Sequence, residues 1–161
     1  MTIIEQLKTL RDHGGEAVTK GLADTIIEDF AGRDPRIGEA VEQALAAFEA
    51  LKNEYPDLLA KSEADQISDI QSGYVNFYPD DAINPYVSLA ARGPWIVTLK
   101  GAVLYECGGY GMLGSGHAPA KVLDAMAQPH VMANIMTPSV SHRSRIARVT
   151  IARNPRKSRP P

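Results

Sequence analysis

Five glycines stand between Tyr105 and Pro119, where a strand-like run meets the start of a predicted helix. Glycine adopts positive φ without steric cost and lets other groups approach the backbone closely. A turn that only reverses the chain direction seldom needs so many of them. The segment therefore indicates a backbone shaped to contact a ligand, although clustered glycine is also typical of a flexible loop.

The same segment contains a G-x-G-x-x-G match at Gly109–Gly114. In dinucleotide-binding proteins the helix opens within the glycines, so that its N-terminal amides contact the pyrophosphate. Here the first helical turn is predicted later, at Pro119. An acidic residue about 20 positions on should bind the ribose, whereas the sequence there reads Ala127-Gln128-Pro129-His130. Dinucleotide binding is therefore kept only as an alternative function.

The length and composition are those of one globular domain. The chain has 161 residues, of which 44% are hydrophobic, enough for a proper core. No apolar run approaches the ~20 residues that a membrane helix needs, and Met1–Glu5 lacks the regions of a signal peptide. We therefore expect a cytoplasmic protein with no membrane partner. The one cysteine, Cys107, cannot form an internal disulfide and is expected to be a small buried hydrophobe, because no nearby group would activate its thiol.

The first third of the chain is predicted to be helical. The capping box Thr2-x-x-Glu5 predicts a first helix that ends before Gly14. Apolar residues at intervals of four between Val18 and Phe30 are typical of a second helix. These segments form the start of a continuous helical leader.

A third helix carries the strongest periodicity in the sequence. Asp34 and Pro35 supply its N-cap and its first helical position. Apolar residues then follow at helical spacing and are predicted to form core or an interface. They are Ile37, Ala40, Val41, Ala44, Leu45, Phe48 and Leu51.

Beyond this helix the sequence predicts loops and then a small sheet. Several prolines interrupt residues 54–94, which we expect to be mostly loop. Residues 95–99 and 102–105 flank Lys100-Gly101 and predict a β-hairpin. Residues 120–128 predict a helix. The chain by itself is therefore expected to be α+β.

Three blocks, taken in this order, resemble the N-terminal part of a class III aminotransferase, a pyridoxal-phosphate enzyme of fold type I. Residues 84–93 resemble the segment that leads into that family's first small-domain strands. Residues 95–106 resemble its hairpin, and residues 108–128 its glycine-rich turn, Gly-His element and next helix. The likeness covers residues 84–143, roughly a third of the chain, and implies an α/β parent fold.

The resemblance also implies an activity for the full-length enzyme. Such an enzyme moves an amino group from an amine or amino acid to a 2-oxo acid, and it is a homodimer with active sites at the subunit boundary. Its Schiff-base lysine, the acid partner of the cofactor ring and the phosphate cup lie downstream of the Gly-His element. We therefore expect no catalytic residue in this chain and no pyridoxal phosphate bound by it alone. The cofactor-binding residues are unknown, and Lys121 is expected to face solvent.

What the resemblance leaves in this chain is part of the substrate mouth. It implies that Tyr110, between Gly109 and Gly111 in the glycine-rich turn, faces the substrate side chain, and a tyrosine there could equally pack over the hairpin. Tyr86 is a second candidate for substrate entry. His117 is expected to be structural, holding the turn against the following helix. No other ligand stands at metal-binding spacing from it, so no metal site is predicted.

Charged residues are unevenly distributed along the sequence. Residues 1–142 hold all 19 acids and 10 bases, a balance of −9, whereas residues 143–161 hold seven bases and no acid. We interpret residues 1–83 as a helical region and loop, 84–142 as the aminotransferase-like segment and 143–161 as a basic tail. The tail is either disordered or the product of a frameshift.

Two further functions are compatible with the sequence. A basic tail can bind nucleic acid, although we do not expect that partner here. The apolar stripe within residues 34–53 could instead make the chain a non-catalytic module that binds a partner helix.

Overall fold

A computed structural model describes residues 1–72, 86–107 and 114–128. The described residues combine helices with a small antiparallel sheet, so the expected α+β class is confirmed. The chain divides into two units, residues 1–118 and 119–161, and the helix of the second unit is treated by itself. The elements are α1 (Ile3–Arg11), α2 (Asp24–Ala31), α3 (Pro35–Glu54), α4 (Pro56–Ala60), α5 (Glu63–Gln71), β1 (Ser88–Arg92), β2 (Trp95–Thr98), β3 (Val103–Tyr105) and α6 (Ala120–Met126).

Helices α1 and α3 begin where their caps predict. The amide of Glu5 donates to Thr2 Oγ1 at 3.2 Å, and the amide of Thr2 donates to Glu5 Oε2 at 2.6 Å. These are the two bonds of a capping box. At α3 the Asp34 carboxylate accepts from the amide of Arg36, and a proline occupies the first turn. Each cap satisfies amides that have no partner within the helix.

The second helix is shorter than its periodicity predicts, because α2 begins only at Asp24. The preceding chain is drawn to the edge of the sheet, where the amide of Leu22 donates to the carbonyl of Val103 at 2.8 Å. Gly21 has φ +65°, and a Cβ there would lie 2.8 Å from the Val103 backbone. Val18 is 65% exposed. Pairing with the sheet therefore overrides a helical spacing that is only locally favourable.

The expectation that residues 54–94 are mostly loop is wrong in part. Helix α4 begins at Pro56, since a proline in the first turn needs no amide partner. Helix α5 follows Ser62, whose hydroxyl accepts from the amide of Asp65 at 3.2 Å. Strand β1 then pairs with β2. In this region a residue such as Pro56 marks the start of an element and not a stretch without secondary structure.

The three strands form an antiparallel sheet in the order β1-β2-β3. The predicted hairpin of β2 and β3 is confirmed, with Val97 opposite Val103 and Trp95 opposite Tyr105. Gly101, at φ +72°, completes the turn by donating to the carbonyl of Thr98 at 2.9 Å. Strand β1 lies on the other side of β2, with a register shift between Ser88 and Ala90.

The core lies between the helical leader and the sheet. Helix α3 contacts α1, α2, β1 and β2. Five of the seven residues in the apolar stripe of α3 are buried, and Leu45 and Leu51 are partly buried against them. The stripe therefore serves as core within this chain. Core residues are Leu7, Leu10, Ile27, Ile37, Ala40, Val41, Ala44, Phe48, Leu59, Trp95, Val97, Leu99 and Val103.

Lys100, in the hairpin turn, is only 5% exposed and joins the hairpin to the loop after α1 and to the end of α4. Its ammonium donates to the carbonyls of Gly14 at 2.6 Å, Lys61 at 2.6 Å and Leu59 at 3.2 Å. We call this set the Lys100 clamp. Three donors meet three acceptors, which is the full donor capacity of an ammonium group.

The buried carboxylate of Glu63 supports the same region. Its Oε2 accepts from the amides of Val18 at 2.6 Å and Thr19 at 2.7 Å. Burial lowers the pKa of Lys100, and the charge of Glu63 opposes that shift. A buried anion therefore accompanies the buried cation of the Lys100 clamp, and each charge offsets part of the other's desolvation cost.

Candidate functional site

The residues predicted to bind substrate fall into two groups. Tyr110, Gly109 and Gly111 lie outside the described residues. Tyr86 is described, and it is partly buried just before β1. It lines a groove of about 180 Å³. The other lining residues are Ile67, Ile70, Gln71, Val87 and Ser88.

Two effects raise the pKa of the Tyr86 phenol above its usual value. Burial is the larger, and the negative charge of Glu106 adds to it. Since a phenol ordinarily ionises only near pH 10, Tyr86 keeps its proton at neutral pH and can donate a hydrogen bond. Glu106 belongs to a second polar group, whose pairing the sequence did not predict.

That second group is a pair formed by Glu106 and His117. Glu106 Oε2 lies 2.6 Å from His117 Nε2, and the two side chains are 29% and 23% exposed. Glu106 follows β3, and its amide donates to the carbonyl of Pro94 at 2.7 Å. A carboxylate at one end of the glycine-rich run and an imidazole at the other is the sequence signal that could have revealed the pair.

The backbone around His117 is bound to the turn between β1 and β2. The amide of His117 donates to the carbonyl of Gly93 at 2.7 Å, and the amide of Gly93 donates back at 3.0 Å. The preceding Gly116 has φ +72°, and a Cβ on it would lie 2.7 Å from Gly93 Cα. Both the dihedral angle and the contact require glycine at this position. The bridge to Gly93 is a different contact from the expected one, in which His117 holds the glycine-rich turn against the following helix, and that expectation stays a prediction.

Ala118 continues the same segment in an unusual conformation. Its φ is +47°, the one positive value at a residue other than glycine among those described. A left-handed alanine costs roughly 1–2 kcal/mol. Its carbonyl accepts from Arg92 Nη1 at 3.1 Å, and Arg92 in turn lies 3.8 Å from a carboxylate oxygen of Glu39. Surrounding contacts therefore impose this conformation.

A second set of polar groups lies next to Gly93. Arg36 donates twice to the Asp34 carboxylate, each time at 2.8 Å, and the indole of Trp95 donates to it at 2.9 Å. The bonds from Arg36, followed by the one from Trp95, hold the pKa of Asp34 far below its usual range against the opposing effect of burial. A Cβ on Gly93 would lie 2.8 Å from Arg36 Nη1. The guanidinium thus covers the glycine to which His117 is bound.

Cys107 corrects one expectation: it is exposed rather than buried. It is the last residue before the glycine-rich run and is not part of the core. Within the described ranges, no group of three or more His, Cys, Asp or Glu side chains could hold a metal ion. Lys121 on α6 is exposed, as expected.

Comparison with protein-family models, with curated proteins and with solved structures found no match to this chain. Among the helices in the described residues, none has the length and apolar character to cross a membrane.

The described residues do not by themselves fit pyridoxal phosphate. A Schiff base needs an accessible amine, and the amine of Lys100 is buried and engaged by three carbonyls. Of the other described lysines, Lys52 pairs with Glu49, and Lys8, Lys20, Lys61 and Lys121 lie on exposed surfaces that do not enclose a cofactor. The resemblance likewise assigns no cofactor-binding residue to this chain. No catalytic step through this cofactor can be assigned to the residues described.

Proposed function

We propose that this chain is the N-terminal part of a pyridoxal-phosphate-dependent class III aminotransferase of fold type I. The full-length enzyme would move an amino group from an amine or amino acid to a 2-oxo acid. The observation that carries the proposal is the order of elements: a hairpin, then Gly116 and His117 bound back to Gly93, then α6. The resemblance implies the same succession of hairpin, Gly-His element and helix.

In the proposed enzyme this chain contributes to the substrate mouth and not to the chemical step. Tyr86 offers a protonated phenol next to a groove, which suits a residue that contacts an entering polar substrate. Tyr110 would face the substrate side chain from within the glycine-rich run. The active sites would lie at the boundary of a homodimer, with the cofactor held by residues beyond this segment.

The DNA beyond codon 143, read in all three frames, tests the proposal. We expect one frame to continue with an aminotransferase-like sequence that contains a Schiff-base lysine. The protein encoded by residues 1–142 and that continuation should transfer an amino group to a 2-oxo acid only when pyridoxal phosphate is added. If no frame continues in this way, or if the extended protein is inactive although folded and loaded with cofactor, the proposal is wrong.

Tyr110→Ala in the extended protein tests the substrate role. We expect the ratio of kcat/KM values for donors with large and small side chains to change by roughly 10-fold, the scale of one lost apolar contact. The melting temperature should stay nearly constant. Tyr86→Phe, which removes only the hydroxyl, is the companion variant. A large fall in melting temperature with unchanged donor preference would instead make Tyr110 a core residue.

One alternative loses its structural basis. A module that binds a partner helix through the stripe of α3 would need that stripe on the surface, whereas Ile37, Val41, Ala44 and Phe48 are buried in the chain's own core. Dinucleotide binding through Gly109–Gly114 and nucleic-acid binding through residues 143–161 depend on segments outside the described ranges, and neither gains support from the described residues.

A further inference from the structure

The hydrogen bond between Glu106 and His117 is not needed to hold the backbone of the turn in place. The backbone bridge to Gly93, the glycine required at position 116 and the bond from Arg92 to the carbonyl of Ala118 already fix the chain around the histidine. The bond from Glu106 adds little to the path of the backbone. What it does fix is the imidazole ring, both its orientation and the nitrogen that carries the proton.

We infer that Glu106 is a positioning residue that makes His117 a fixed proton acceptor at Nδ1. A carboxylate can only accept a hydrogen bond at neutral pH. The 2.6 Å contact to Nε2 therefore requires a proton on Nε2, and in the neutral ring this leaves the lone pair on Nδ1. The hydrogen bond to the ring among the described residues is the one at Nε2, and the side chain retains 23% exposure.

The ligand that fits such an acceptor is an N–H donor, and an alkylammonium group in particular. The carboxylate of Glu106 lies one ring away from Nδ1 and favours a positively charged donor. The inference stands on this geometry alone, so it holds whether or not the proposed amino transfer is correct.

Nuclear magnetic resonance on the full 161-residue chain, labelled with ¹⁵N-histidine, tests the first part. His117→Gln assigns the signal, and His13, which packs against Phe48, is an internal reference. At a pH where the imidazoles are neutral, we expect His117 to show a single tautomer with its proton on Nε2. A proton on Nδ1, or a mixture of tautomers in the wild type, would overturn the inference.

Glu106→Leu, which has no hydrogen-bond acceptor in its side chain, separates a positioning role from a structural one. We expect the variant to lose the single tautomer while its Tm falls by less than about 4 °C. If the tautomer is unchanged in Glu106→Leu, then Glu106 does not position the ring. A folded wild type with the expected tautomer, together with a variant that fails to fold, would make the pair structural and would also count against the inference.

Two cations of equal charge test the ligand. Ethylammonium chloride has N–H donors, and tetramethylammonium chloride has none. We expect ethylammonium to shift the Nδ1 resonance of His117 in the wild type at least twofold more than tetramethylammonium does, and this difference to disappear in Glu106→Leu. Equal shifts from both salts, or none from either, would overturn the assignment of an N–H donor as ligand.

Discussion

The carboxylate of Asp34 makes three kinds of contact at the start of α3. It accepts from the amide of Arg36 as an N-cap, binds the Arg36 guanidinium with both oxygens, and accepts from the Trp95 indole of β2. A neutral replacement keeps the shape but loses the charge on which the strongest of these bonds depend. Asp34 thus joins α3 to β2 through a carboxylate that loses its charge when it is protonated.

The stability contribution of Asp34 should therefore depend on pH. Its folded pKa is held well below the unfolded value of about 3.9, so the folded state binds the proton less readily than the unfolded state. The contribution is complete above about pH 4 and is lost as the pH falls toward the folded pKa. We expect Asp34→Asn to lower the unfolding free energy by about 2 kcal/mol at pH 7.

Urea unfolding of the wild type and Asp34→Asn at several pH values measures this. The difference between the two proteins should narrow steadily below about pH 4. Asp12→Asn, at an exposed position after α1, is a control that should change little. A difference that stays constant down to strong acid would show that Asp34 acts through shape and not through charge.

Lys100 offers a second prediction at the scale of one side chain. Lys100→Met keeps the length of the stem but removes the donor for three carbonyls and the cation near Glu63. Removing one partner from a buried charged set typically costs about 3 kcal/mol or more. Lys8→Met on the exposed side of α1 should stay within about 0.5 kcal/mol of the wild type. Chemical denaturation compares the two, and equal stability of both variants would contradict the role of the clamp.

At the scale of elements, two glycines with opposite environments make a matched pair. Gly116→Ala places a Cβ 2.7 Å from Gly93 Cα at a positive φ, and we expect it to cost about 2 kcal/mol or more. Gly38→Ala lies within α3 and has open space around the new methyl group, so it should stabilise the protein by about 0.5–1 kcal/mol. Thermal unfolding of both variants tests the signs, and a stabilised Gly116→Ala would show that the bridge to Gly93 can shift.

Elements with strong local signals could be predicted from the sequence. The caps of α1 and α3 and the turn at Gly101 fix their elements through residues a few positions apart. The start of α2 depends instead on the bond between Leu22 and Val103 of β3, which lies far along the chain. Only two residues separate the end of strand β1 from β2, and the Gly93-Pro94 between them was interpreted as a break. Helix α5 did have a local cap at Ser62, and Pro56, which begins α4, was misinterpreted as a break.

The candidate site could be predicted only in part, for a related reason. The importance of the Gly-His element was visible as a sequence pattern, because it follows a run of glycines. The partnership of Glu106 with His117 depends on the fold, which brings residues 11 positions apart to 2.6 Å. Cys107 was misjudged because hydrophobicity alone cannot show that a residue has passed the end of a strand.

At the scale of the whole molecule, the core is assembled from two stretches of chain, the helices and the sheet. Neither stretch completes the core alone. The leader supplies Ile37, Val41 and Phe48, and the sheet supplies Trp95 and Val97. Each such side chain contributes roughly 1.5–3 kcal/mol when it is fully buried. The two stretches therefore stabilise each other, and we expect residues 1–118 to unfold as one cooperative unit.

The chain as a whole should not form an internal Schiff base with pyridoxal phosphate. Lys100 is buried in its clamp, and Lys121 lies on an exposed surface. After addition of the cofactor and reduction with borohydride, we expect no stoichiometric adduct at any single lysine by mass spectrometry. Scattered low-level labelling of exposed lysines is the expected background. A stoichiometric adduct at one residue would contradict this prediction.

The Lys100 clamp has a consequence for the time at which this protein can fold during its synthesis. The lysine follows its most distant acceptor, the carbonyl of Gly14, by 86 residues. When the ribosome has released only the helices that precede the sheet, the carbonyls that later bind Lys100 and the apolar faces of these helices do not yet have their partners in the hairpin. Helices α1 and α3 can form in that interval, but their inner faces remain exposed to chaperones or to other nascent chains. The emergence of the hairpin is thus the event that ends this exposure.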